Sequence, residues 1–185
     1  MREPKILNDT SMVIGPVRLS YTHLFQPYAM PGSTEPGKYM TVVLIPKGEK
    51  KVLEAIDKCM EAAKRAGITS KWGGREPKSL DTPLRDGDDR EDEVFHGHYY
   101  FNAKCKTRPG VVDKHRAPIV DEEEIYSGVW AYVSVSFFPY DVNVKRGIAV
   151  GLNNVMKFKD DDRLGGRSSA ESDFADIDPV TDEDW

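Results

Sequence analysis

Long apolar runs are missing from this chain of 185 residues. No stretch approaches the roughly 20 residues that cross a bilayer. The opening MREPKILNDTS has no apolar segment of the secretory kind. A cytoplasmic protein is expected, with no membrane partner. Cysteine is scarce too: Cys59 and Cys105 are the only two, and no CxxC spacing occurs. Two buried thiols in a reducing compartment fit better than a disulfide framework. P-loop, nucleophile elbow and dinucleotide fingerprint are all absent, as is any internal repeat. No catalytic residue, cofactor or metal ligand is therefore predicted, and the chain reads as a non-enzyme.

Charge, by contrast, is abundant and unevenly placed. The chain holds 26 basic and 31 acidic residues. Seven of those acids (Glu171, Asp173, Asp176, Asp178, Asp182, Glu183 and Asp184) fall within residues 168–185, which contain no base. Removing them from the 31 leaves 24 acids against 26 bases in residues 1–167, a mildly basic body behind a net charge of −5. The end, ESDFADIDPVTDEDW, has too little apolar surface to offset its ordering entropy. It reads as a flexible acidic tail that closes on an aromatic, Trp185. The predicted organisation is one domain over residues 1–160 and a tail over 161–185.

Within the body, hydrophobic periods define the elements. Ser11–Phe25 alternates after Pro16 with Val17, Leu19 and Tyr21 on one face. Lys38–Pro46, KYMTVVLIP, is apolar on both faces and reads as a central strand. Val52, Leu53, Ile56, Cys59, Met60 and Ala63 form the apolar stripe of a helix over 49–67, with Gly67 as its C′ residue. Residues 68–96 show no period. Strands follow at His96–Arg108, Ser127–Tyr140 and Val142–Phe158, the last with a turn or bulge at Lys145-Arg146-Gly147. Five strands and one helix predict a mainly β fold, an OB-like five-stranded antiparallel barrel. The helix lies between the second and third strands, whereas the usual OB order has it between the third and fourth.

Two strand faces carry the chemistry. Tyr99, Phe101, Ala103 and Cys105 should face inward. The opposite row is His98, Tyr100, Asn102, Lys104, Lys106 and Arg108, cationic without an acid. In the next strand Val129, Ala131, Val133, Val135 and Phe137 face the core, opposite Trp130, Tyr132, Ser134, Ser136 and Phe138. Aromatics beside cations suit a single-stranded nucleic acid, because cations neutralise phosphates and π-faces accept any base. Lys71, Trp72, Arg75 and Lys78 repeat the mixture. The predicted DNA contacts are Trp72, Arg75, Tyr100, Lys104, Lys106, Arg108, Trp130, Tyr132, Lys145 and Arg146. The tail would compete for the same groove, and Asp182, Glu183, Asp184 and Trp185 would contact a partner protein.

Two other classes fit parts of the sequence. RDGDDREDE (Arg85–Glu93) could form a two-metal nuclease centre over Asp86–Glu93, although carboxylates this dense in a loop are usually solvated. The aromatic face could instead serve a scaffold that binds no DNA. A zinc site from His96, His98, Cys105 and His115 fails on strand parity.

GPVRLSYTHLFQP (Gly15–Pro27), PLRDGD (Pro83–Asp88), EIYSGVWAYVSVSFFPY (Glu124–Tyr140) and GIAVGLNNVMK (Gly147–Lys157) resemble the single-stranded DNA-binding proteins of tailed phages. More narrowly they resemble a phage family long known only as a domain of unknown function. The resemblance covers roughly residues 10–158. It implies an OB-fold, coating of single-stranded DNA without sequence preference, and service in phage DNA replication, recombination and repair in the host bacterial cytoplasm. Relatives carry an acidic tail with a terminal aromatic, matching Asp182 to Trp185. Replication proteins such as a DNA polymerase become the expected tail partners, with duplex DNA when the tail is absent; self-association stays open.

Overall fold

The computed structural model describes residues 1–165. Eight strands and one helix follow in chain order: β1 (Lys5–Asn8), β2 (Ser11–Tyr28), β3 (Lys38–Pro46), α1 (Lys50–Ser70), β4 (Arg85–Asp86), β5 (His98–Cys105), β6 (Gly110–Val112), β7 (Trp130–Val142) and β8 (Lys145–Lys159). The barrel consists of β2, β3, β5, β8 and β7, in that order, with β7 returning to β2. All its pairings are antiparallel except β5 with β8, which closes it through Ala103↔Val150 and Lys104↔Gly151. This is the OB strand order, so the predicted fold class holds.

Alternation decides which side chains fill the barrel. Thr41, Val43 and Ile45 of β3 sit opposite Ala103, Phe101 and Tyr99 of β5, and all but Tyr99 are buried. Val133, Val135 and Phe137 of β7 and Ile148, Val150 and Leu152 of β8 complete the lining. Each buried Val, Ile, Leu or Phe of this lining stabilises the fold by about 1.5–3 kcal/mol. The helix α1 buries Val52, Ile56, Cys59, Ala63 and Gly67 and packs mainly on β7.

Several local expectations change. The helix continues past Gly67 to Ser70. Gly67 is not a C′ residue but a point of close approach: a Cβ there would lie 2.6 Å from the Trp72 ring and 2.7 Å from Pro139. The turn expected at Lys145-Arg146-Gly147 lies earlier, at Asn143 and Val144, whose φ angles are 48° and 63°. Lys145, Arg146 and Gly147 already pair with Val142, Asp141 and Tyr140. The supposedly irregular 68–96 contains β4 and short 3₁₀ turns at Gly87–Asp89 and Glu93–Phe95. Finally, residues 161–164, assigned from sequence to the tail, lie against the barrel: the Leu164 amide donates to the Ser127 carbonyl at 2.8 Å. Asp182 to Trp185, the expected partner contacts, lie outside the described residues.

Candidate nucleic-acid interface

Register places one row of residues across the outer surface of four strands. His23 of β2 sits opposite Met40 of β3, Met40 opposite Lys104 of β5, and Lys104 opposite Gly151 of β8. Small residues on β8, Ala149 and Gly151, leave room for the Phe138 ring from β7; a Cβ on Gly151 would lie 3.3 Å from it. The result is a groove of about 750 Å³, walled by Lys38, Arg85, Lys104, Lys106, Phe138 and Tyr140. Phe138 is 45 % exposed, a large apolar ring facing solvent among cations. Lys38, Arg85, Lys104 and Lys106 face a single acid in the lining, Asp81.

At its other end, β7 looks similar in sequence and differs in structure. The Trp130 indole donates to Asp161 Oδ2 at 2.6 Å, and Lys159 lies over its ring at 5.4 Å. Arg18 donates to the Asp162 carbonyl at 2.7 Å and stands 3.8 Å from the Asp161 carboxylate. The Trp130 hydrogen bond, then a backbone amide, holds the Asp161 carboxyl below the usual carboxylate range. Tyr132 packs edge-on to Phe158 at 5.8 Å, beneath the Arg2 guanidinium, and its ring rests on Gly15.

Between these ends the outer face of β3 is covered. Val42, Leu44 and Phe95 form a small buried cluster, with Val94, Tyr100 and Leu164 packed around it. Arg90 lies 4.2 Å over Phe95 and 5.5 Å over Tyr100. The acidic loop that suggested a nuclease serves this cover. Asp86 and Asp88 both grip the Lys47 ammonium at 2.6 Å, and Asp88 accepts from the Gly97 amide at 2.7 Å. Lys47 holds both carboxyls below their ordinary range. Among the described residues, no group of three His, Cys, Asp or Glu side chains is placed to hold a metal ion.

The predicted contacts therefore separate. Lys104 and Lys106 line the groove, and Lys145 is near enough to act on the Asp81 carboxyl. Arg146 pairs with Asp141 at 3.0 Å. Lys106 and Arg108 lie beyond the end of β5, so the cationic row is not continuous; Arg108 turns to sit 4.9 Å over the Phe25 ring. Tyr100 belongs to the covered cluster, and Arg75 is exposed on the loop after α1, outside the groove. Trp72 is corrected outright: it is 5 % exposed, donates to the Tyr140 carbonyl at 3.2 Å and leaves no ring face for a base. Lys38, Arg85, Phe138 and Tyr140, which also line the groove, are not among the predicted contacts. Phe138 was visible in the outward row of β7, yet alternation alone could not separate it from Trp130 and Tyr132.

A five-stranded OB-type barrel with a cationic, aromatic groove across its outer strands belongs to the class of single-strand nucleic-acid binding folds. Comparison narrows the class. Residues 10–184 match the family model described as the ssDNA-binding protein of Enterobacter phage Enc34, and the chain belongs to that family. It is 31 % identical over 179 residues to protein p50 of Acyrthosiphon pisum secondary endosymbiont phage 1, covering 91 % of this chain and 94 % of that one. The single-stranded DNA-binding protein of bacteriophage Enc34, solved in complex with ssDNA, superposes with a TM-score of 0.77 at 25 % identity, over 89 % of this chain and 95 % of its own. The single-stranded DNA-binding protein gp2.5 of bacteriophage T7 shares the fold, with a TM-score of 0.61 at 21 % identity over 93 % of this chain and 96 % of its own.

Proposed function

We propose that this protein binds single-stranded DNA without sequence preference, through the groove between β5 and the β7–β8 hairpin, and coats it during phage replication, recombination and repair. The observation that carries the reading is Phe138, an exposed ring over Ala149 and Gly151 flanked by Lys38, Lys104 and Lys106. Phosphates would meet the lysines while a base stacks on the ring. Lys145 and Arg146 at the hairpin would extend the cationic track. Trp130 is a second platform that becomes available when Asp161 releases it. Family membership and the ssDNA complex of the Enc34 protein support the reading. The work is binding without catalysis: Asp86 and Asp88 spend their carboxylates on Lys47.

The acidic tail would compete with DNA for cationic sites, and Asp182, Glu183, Asp184 and Trp185 would contact a replication protein. Asp161 on Arg18 and Trp130 supports this, since acids just before the tail already occupy a cation and an indole. A cytoplasmic location fits; no helix among the described residues is long and apolar enough to cross a membrane. The test is titration of labelled oligo(dT) and mixed-sequence strands with full-length protein at several salt concentrations, with magnesium present. Similar affinities that fall steeply with salt, with strands left intact, are expected; strand cleavage, or no binding, overturns the proposal.

A further inference from the structure

An anion-binding groove has no evident use for a carboxylate, yet Asp81 is placed in its wall. Its position is built by backbone as well as side chain. The Asp81 amide donates to the Arg146 carbonyl at 2.9 Å, and its carbonyl accepts from the Ile148 amide at 2.8 Å. This bridges the segment before β4 to the start of β8 in parallel, at Asp81↔Gly147. The approach is so close that a Cβ on Gly147 would lie 2.5 Å from the Asp81 carbonyl oxygen and 2.6 Å from the Tyr140 hydroxyl. A side chain at 147 would displace either the bridge or the ring.

The carboxylate itself joins two walls of the groove. Oδ2 accepts from the Tyr140 hydroxyl at 3.0 Å, and Oδ1 accepts from Arg85 at 2.7 Å. Tyr140 comes from β7 and Arg85 from β4, elements that make no ladder with each other. We propose that Asp81 is a positioning residue for DNA binding: it fixes the Tyr140 ring and the Arg85 guanidinium at one end of the groove, without touching DNA itself. Two side chains with free rotamers would lose entropy on meeting DNA; held in place beforehand, they lose less. Burial works against the charged carboxyl, but the bonds from Arg85 and Tyr140 outweigh it and keep Asp81 ionised below the usual range. This deepens the reading of the groove as a single-strand site and rests on it.

Simple electrostatics and positioning predict opposite signs. Removing an acid from a cationic groove should tighten DNA binding, whereas releasing Tyr140 and Arg85 should weaken it. The experiment titrates labelled oligo(dT) with full-length wild type, Asp81→Asn, Tyr140→Phe and the double variant, with thermal melting in parallel. Asp81→Asn is expected to weaken binding about three- to tenfold and to reduce the slope of log K against log salt by roughly 0.7, one phosphate contact. Tyr140→Phe, which leaves the Asp81 backbone bridge intact, should weaken binding as well. The double variant should lose less than the product of the two single losses. Tighter binding by Asp81→Asn, or unchanged affinity in both single variants with unaltered melting, overturns the inference. So does full multiplicativity in the double variant. If Asp81→Asn fails to fold, Tyr140→Phe alone decides, because unchanged affinity there removes the contact Asp81 would be holding. Wild type that does not bind oligo(dT) overturns the groove reading along with it; tightening in a wild-type-competent assay overturns only the role of Asp81.

Discussion

The two ends of β7 carry the same outward pattern of aromatics and have opposite fates. At the hairpin end, Phe138 lies open over Ala149 and Gly151. At the start, Trp130 is hydrogen-bonded to Asp161, and Tyr132 is walled by Phe158, Arg2 and Gly15. The difference comes from what the neighbours bring. Small residues on β8 make room beside Phe138, whereas bulky ones and the segment 161–164 close over the other end. An outward face in a strand is a direction and not an exposure.

The largest expected effect tests the packed end. Tyr132→Ala should destabilise folding by about 2–4 kcal/mol, as loss of a packed ring does. Phe138→Ala should cost less than about 1 kcal/mol, as at an exposed position. Urea unfolding of both variants measures this. Equal losses would mean that the two ends are not structurally different, and the comparison would fail.

Binding should reverse the order. Phe138→Ala should weaken oligo(dT) binding by about 1–3 kcal/mol if a base stacks on the ring. Tyr132→Ala, measured where it remains folded, should weaken it less. A greater loss at Tyr132 would move the site to the start of β7 and return Trp130 to the centre of it.

Much of this was legible in the residues. Alternation in β2, β5, β7 and β8, and the apolar run of β3, gave the barrel and the inward faces, because burial on one side imposes a period of two on the sequence. The strands β1 and β6, four and three residues long, are too short to show a period. Cover was the harder part. The two-faced apolar run of β3 implied cover over Val42 and Leu44. Phe95, Leu164 and the Lys47 clamp, however, come from segments without a period, so nothing local showed what the cover would be or that it would reach Tyr100. Trp72 misled for a related reason: beside Lys71 and Arg75 it looked like a platform, and only Gly67, a turn of helix away, shows where the indole goes. The cationic row from Lys104 to Arg108 was overextended because β5 stops at Cys105.

The smallest expected effect separates the tail from both ends of β7. Residues 168–185 carry seven acids and no base, so their competition with DNA should be electrostatic. Tethering keeps them at a high effective concentration, on the order of millimolar, which lets weak contacts compete. Deleting them should tighten oligo(dT) binding modestly at low salt. The gain should shrink as ionic strength passes about 0.15 M, where the Debye length falls to about 8 Å. Trp185→Ala keeps every charge, so it should leave the DNA titration nearly unchanged while weakening contact with a replication protein, which a pull-down with the phage polymerase would read. The deletion also leaves Asp161 and Leu164 in place on the barrel. Repeating it in an Asp161→Asn background therefore asks whether Trp130 is held back by its own acid or by the tail. A further, salt-sensitive gain in the combined variant would assign part of the competition to Asp161. Weaker DNA binding on deletion of 168–185 would instead make the tail part of the DNA site, and both ends of β7 would have to be reread with it.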